Sequence, residues 1–142
     1  MSGYSLRHIQ RLLKVVKTKD LSLPDIWEGK TPQWLKQHYN GIGAEWMPRY
    51  VRRFITRALQ KLEPVALIHD VEFLEEPKTY WNFTVANLRF WYNAAKLKRF
   101  FIGGACAVLC QIFGYRAYLD GKECMAYCNF YAEDKQWNIS KR

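Results

Sequence analysis

The sequence predicts an all-α fold, a small multi-helix domain. Three observations carry that prediction. Apolar residues recur at helical spacing in 6–16, 50–62 and 83–97. Prolines stand where helices open rather than inside them, at Pro32, Pro64 and Pro77. Strand-like alternation is weak throughout. At 142 residues the chain fits one compact domain. With 49% hydrophobic and 16% aromatic residues it can build a real core, which excludes a disordered chain.

The first element spans 4–17. Leu6, Ile9, Leu13 and Val16, with Leu12 beside them, form an apolar stripe opposite a basic face. Docking on the body of the protein is the expected use of that stripe, with a membrane surface as the alternative. Residues 18–31 hold Pro24 and Gly29 and read as an extended connection. Thr31 is placed to cap a short helix opened by Pro32, with Trp34 and Leu35 turned inward. A glycine loop follows, Tyr39-Asn40-Gly41-Ile42-Gly43-Ala44, whose two glycines permit positive φ and close backbone approach.

After Pro48, Tyr50, Val51, Phe54, Ile55, Ala58, Leu59 and Leu62 share one helix face, and Arg49, Arg52, Arg53, Arg57 and Lys61 another. Pro64 opens a helix over 65–74, and Pro77 opens one over 78–99. In the latter, Phe83, Ala86, Asn87, Phe90, Asn93, Ala94 and Leu97 share a side. The most apolar stretch, 100–113, is too short to span a bilayer comfortably and is interrupted near its end by Gln111. It reads as a core helix, bent or broken at Gly103 and Gly104, with an interfacial or membrane-inserted segment as the second reading. The tail carries Tyr127, Phe130, Tyr131 and Trp137, so part of it packs.

The net charge is +9, with Lys and Arg spread along the chain. Such a balance favours phosphate-bearing partners, either an anionic membrane surface or nucleic acid. Arg49, Arg52, Arg53 and Arg57 would carry nucleic-acid binding, but no recognised nucleic-acid motif accompanies them. The N-terminal segment alternates charged and apolar residues, unlike a secretory signal. The cysteines fall in two i,i+4 pairs, Cys106/Cys110 and Cys124/Cys128. A disulfide within such a pair has poor geometry. A link between the pairs or a four-thiolate zinc site is open, and small buried hydrophobes are the preferred reading.

One stretch carries chemistry. Leu67-Ile68-His69-Asp70-Val71-Glu72-Phe73 places a His-Asp pair inside an apolar segment, where polar groups are costly without partners. On a helix the two side chains diverge by about 100° and serve neighbouring tasks rather than one atom. The imidazole can take a proton from water while the carboxylate holds a metal ion. Calcium needs several oxygens, and carbonyls of the glycine loop can supplement a carboxylate. An ordinary hydrogen-bonded pair in a helical core is the plain alternative. Glu72, Glu75 and Glu76 read as a solvated acidic turn. Trp27, Trp34, Trp46, Trp81 and Trp91 read mostly as core, and His8 and His38 as surface or packing residues.

These motifs in order are Asn40-Gly41-Ile42-Gly43-Ala44, then Pro64-Val65-Ala66-Leu67-Ile68-His69-Asp70, then Asn87-x-x-Phe90-x-x-Asn93, then Ala107-Val108 and Phe113-Gly114. The set resembles the small phospholipase-A2-like proteins of bacteriophages and prophages, over about 39–122. The resemblance implies a phospholipase A2 helical core at 32–121, preceded by an added basic helix and connection at 1–31 and followed by a tail at 122–142. It implies His69 as general base, Asn87 as its hydrogen-bond partner and Asp70 as calcium ligand. The carbonyls of Tyr39, Gly41 and Gly43 would complete the calcium shell. Calcium-dependent hydrolysis of phospholipid esters follows as the expected activity. The resemblance also implies a host-cytoplasmic or virion-associated protein. The chain departs from the pattern where Phe73 replaces a Tyr and Asn87 replaces an Asp, and it lacks the cysteines of the secreted phospholipases A2, with Asn40 at the loop position. Those departures suit a noncatalytic virion component or host-interaction module on the same scaffold, partnered by a phage or host protein.

Overall fold

The computed structural model describes residues 4–39 and 59–119. Those residues form α1 (Leu6–Thr18), α2 (Pro32–His38), α3 (Glu63–Glu75), α4 (Tyr80–Lys96), α5 (Phe100–Phe113) and α6 (Tyr115–Leu119). Two 3-10 turns, Asp25–Trp27 and Gln60–Leu62, complete them, and there is no strand among the described residues. The glycine loop from Asn40 onward, the arginine-bearing segment up to Ala58 and the tail from Asp120 lie outside the described residues.

Local chemistry sets the boundaries. Ser5, Thr31 and Thr79 each accept the backbone N–H three residues on, so α1, α2 and α4 begin at hydroxyl caps. Pro64 sits in the first turn of α3, where its missing N–H costs nothing. The cap at Thr79 starts α4 at Tyr80 rather than at Lys78. Both α1 and α4 end in the same reversal. Asp20 and Lys98 take left-handed conformations, φ 47° and 58°. Leu21 N–H reaches back to the Val16 carbonyl, and Arg99 N–H to that of Ala94. This is a Schellman turn at each helix end, and Val16 and Leu21 close the first one with an apolar contact in the core.

Helix α3 is the centre. Its residues Val65, Ala66, Leu67, Ile68, Val71 and Phe73 are all buried, so it is covered around its circumference. Ile9 and Leu12 of α1 and Leu35 and Tyr39 of α2 pack on Leu67 and Val71. Val16, Leu21 and Ala94 meet Val65 and Ile68. Each aliphatic side chain buried this way contributes about 1.5–3 kcal/mol. The N-terminal helix is therefore part of the core it shares with α2 and α3. At the far end Tyr118 of α6 closes over Phe73, Phe83 and Ala86 and donates its hydroxyl to the Pro77 carbonyl at 2.6 Å.

Two expectations need correction at α5. The stretch 100–113 is one continuous helix, unbroken at Gly103 and Gly104. A Cβ on Gly103 would lie 2.2 Å from that of Ala94, and one on Gly104 2.9 Å from the Trp91 indole. The glycines let α4 and α5 approach closely, and the Trp91 indole N–H donates to the Phe100 carbonyl at 3.0 Å. Nor is α5 a core helix. Only Gly103, Gly104 and Ala107 are buried, while Phe100, Phe101, Val108, Leu109, Ile112 and Phe113 are exposed. It packs chiefly on α4, an outer layer on the far side from α1 and α2. Apolarity alone drew the expectation of burial; the small face of α5, not its large one, meets the body.

Candidate functional site

His69 and Asp70 follow one another on α3 and face different neighbours. His69 turns to α4 and is 5% exposed. Its Nε2 meets Asn87 Oδ1 at 2.9 Å. Asn87 donates Nδ2 to Gln111 Oε1 at 2.8 Å, and Gln111 donates Nε2 to the hydroxyls of Tyr80 and Thr84, each at 3.1 Å. The chain has one consistent polarity. With the Asn87 amide nitrogen committed to Gln111, its oxygen accepts from the imidazole, so the ring proton sits on Nε2 and the lone pair on Nδ1. Phe73 and Phe90 flank the ring, with centroids 4.2 and 5.2 Å away.

That surrounding fixes the protonation state. Burial of the ring lowers the His69 pKa from 6.5 to about 4, against a smaller upward pull from the Asn87 hydrogen bond. The imidazole is neutral at physiological pH. The unfolded chain titrates near the ordinary value and so binds more protons than the native state below it. Stability from this group is therefore complete above pH 6.5 and is lost as pH falls from 6.5 towards 4. The loss amounts to about 3 kcal/mol over that window. Urea midpoints measured across it with calcium chelated should drop for the wild type, and this part of the slope should vanish in His69→Gln.

Asp70 is half-buried and turns towards α2. It lines a shallow depression with Tyr39, Trp34, His38, Val71 and Leu74. Tyr39 is the C-cap of α2 and the first residue of the glycine loop, so the loop departs from beside the carboxylate. The depression is open and encloses no room for an acyl chain. Carboxylates and backbone carbonyls are the oxygen donors calcium takes, and Asp70 and Tyr39 are the described residues beside this depression that could offer them. Gly41 and Gly43 lie outside the described residues. Among the described residues no group of three His, Cys, Asp or Glu is gathered as a metal site.

One polar residue turns out differently from expectation. Glu72 is not part of a solvated turn: it is 1% exposed and ion-paired through Oε1 with Arg89 of α4. Its Oε2 is buried with no hydrogen-bond partner among the described residues. Glu75 does face solvent and pairs with Lys30 at 2.7 Å. His8 bonds Glu63 at 2.9 Å, and His38 stacks on Trp34. Trp27 and Trp34 pack against the core, while Trp81 is exposed and Trp46 lies outside the described residues. Cys106 and Cys110 are half-buried on α5, and Cys124 and Cys128 lie outside the described residues.

The sequence reading missed Gln111, Thr84 and Tyr80. The signal was present: Gln111 is the single polar side chain of 100–113, and Tyr80, Thr84 and Asn87 follow i, i+4, i+7 along one face of α4. No family model, no curated protein and no solved structure matches the chain.

Proposed function

We propose that this protein is a phospholipase-A2-like hydrolase of the phage and prophage type, cleaving phospholipid esters in a calcium-dependent reaction. The observation that carries the reading is the oriented line His69–Asn87–Gln111. It holds the ring proton on Nε2 and leaves Nδ1 as the basic nitrogen. Because the ring is neutral at working pH, it is in the form that accepts a proton. Water gives that proton to Nδ1 as its oxygen attacks the ester carbonyl, and the ring later returns a proton to the leaving alkoxide. Asn87 keeps the ring from rotating, and Phe73 and Phe90 keep bulk water from its faces. Asp70 would hold calcium with the carbonyls of Tyr39, Gly41 and Gly43. When bound, the ion supplies charge that polarises the ester carbonyl and stabilises the oxyanion.

Fatty-acid release from vesicles containing phosphatidylglycerol tests this. Release is expected with calcium, and excess chelator is expected to abolish it. Asp70→Asn should lower the rate by about a hundredfold at fixed calcium, because a neutral amide gives up the one described carboxylate of the proposed shell. No release above blank under any calcium concentration contradicts the proposal.

One observation favours a second reading, a noncatalytic binding module on the same scaffold. Asn87 cannot stabilise an imidazolium by charge, and burial already disfavours one. Under that reading the line from His69 to Gln111 is a device for joining α3, α4 and α5. The protein would then purify in stoichiometric complex with a phage or host protein and show no turnover. Nucleic-acid binding through Arg49, Arg52, Arg53 and Arg57 would show instead as steeply salt-sensitive association with DNA or RNA.

A further inference from the structure

We propose that the outer face of the α4–α5 hairpin docks on an anionic phospholipid bilayer, lying in its interface. On α4 the residues meeting α5 are Thr84, Asn87, Trp91 and Ala94; on α5 they are Gly103, Gly104 and Gln111. About a quarter turn from those seams lie Trp81, Leu88 and Tyr92 on α4 and Phe101, Val108 and Ile112 on α5. Because the two helices run antiparallel, both sets fall on the same side of the hairpin, away from the core side of Phe83 and Phe90. All six are exposed, Phe101 at 87% and Trp81 at 72%. A contiguous apolar face of this kind marks an interaction surface.

Charge selects the occupant. Between Pro77 and Leu119 the chain has no Asp or Glu, although it holds 13 acidic residues in all. The same interval carries Lys78, Arg89, Lys96, Lys98, Arg99 and Arg116. Arg89 turns inward to Glu72. Lys96 turns to Asp20 at 3.8 Å, which leaves Lys98 and Arg99 at the α4–α5 turn and Arg116 at the opposite end, so an uncharged apolar strip is bracketed by cations. Anionic headgroups complement that rim while acyl chains take the strip. A second copy of this chain would bring the cations against a face with no carboxylate to receive them. The exposed Tyr80, Trp81 and Tyr92 add the amphipathic rings that favour a headgroup boundary. No described helix is long and apolar enough to cross a membrane, and α5 at 14 residues extends about 21 Å. In-plane docking is the mode these lengths allow.

The inference deepens the lipid reading of His69 and Asp70, on which its purpose rests, but its test needs no turnover. Flotation with vesicles of phosphatidylcholine alone, or mixed with phosphatidylglycerol, is run with the full chain in excess chelator. Binding is expected on the mixed vesicles, about tenfold or more weaker on phosphatidylcholine, and weakened about as much by Phe101→Glu with Ile112→Glu. Lys98→Glu with Arg99→Glu tests the rim separately, and far-ultraviolet circular dichroism confirms that each variant is folded. His69→Ala should bind like the wild type, and a wild type that floats but releases no fatty acid with calcium restored sinks the hydrolase reading alone. Equal binding by the wild type and both folded variants overturns the proposal. So does a failure of the monomeric wild type to bind. A wild-type dimer broken by Phe101→Glu, with no vesicle binding, overturns it in favour of a second copy.

Discussion

Gly103→Val is expected to destabilise the protein by about 3 kcal/mol, roughly 10 °C in Tm, while leaving helix content intact below the transition. The first carbon of the new side chain would lie 2.2 Å from the Ala94 Cβ, far inside van der Waals contact. Ala94 has no rotamer with which to retreat, so the helices themselves must move apart. Separation would also pull on the hydrogen bonds that span the seam, Trp91 to Phe100 and Gln111 to Asn87, Thr84 and Tyr80. The cost is a property of the pair. Gly103→Ala combined with Ala94→Gly should recover about 1–2 kcal/mol relative to the sum of the single changes, even though glycine within a helix is itself unfavourable. A neutral Gly103→Val in chemical denaturation would mean that α4 and α5 do not pack at this seam.

Asn87→Asp is expected to raise the rate of ester hydrolysis by about tenfold or more and to lift the His69 pKa well above 4. A carboxylate at this position accepts the same Nε2 proton but adds a charge that stabilises the imidazolium formed as water attacks. Its second oxygen needs a donor, and the Gln111 side chain can supply one by rotating its amide, since Gln111 now presents Oε1 to Asn87. The rise in pKa should be read by NMR from the ring carbons of His69, alongside fatty-acid release from the same sample. A raised pKa with no gain in rate would assign the buried line to structure and favour the noncatalytic module. An unchanged pKa would mean that residue 87 does not face the ring.

How far the sequence reaches can be judged residue by residue. Helix starts were legible because they are local: Thr31 before Pro32, and Pro64 at the head of α3, act through groups within a turn of themselves. The buried side of α4 was legible because Phe83, Ala86, Asn87, Asn93 and Ala94 repeat at helical spacing. Burial of α5 was misjudged, since a uniformly apolar helix has no pattern to say which side finds a partner, and its small residues rather than its large ones made the seam. Glu72 was misjudged for a similar reason. It sits near Glu75 and Glu76 in sequence, but its partner Arg89 comes from the next helix. At the site, the adjacency of His69 and Asp70 was legible, and so was the divergence of their directions. The reach of the polar line to Gln111, 24 residues beyond Asn87, was not, because it depends on how closely two glycines let α5 approach.

The hydrolytic role proposed for His69 is tested most directly by comparing wild type and His69→Ala in initial rates of fatty-acid release from phosphatidylglycerol-containing vesicles at saturating calcium. Equal vesicle binding of the two proteins must be verified in the same preparation. The account predicts a calcium-dependent rate in the wild type that falls by about a hundredfold or more in the variant, in keeping with removal of a positioned general base. Equal rates in the two proteins, or no release from either, would contradict it.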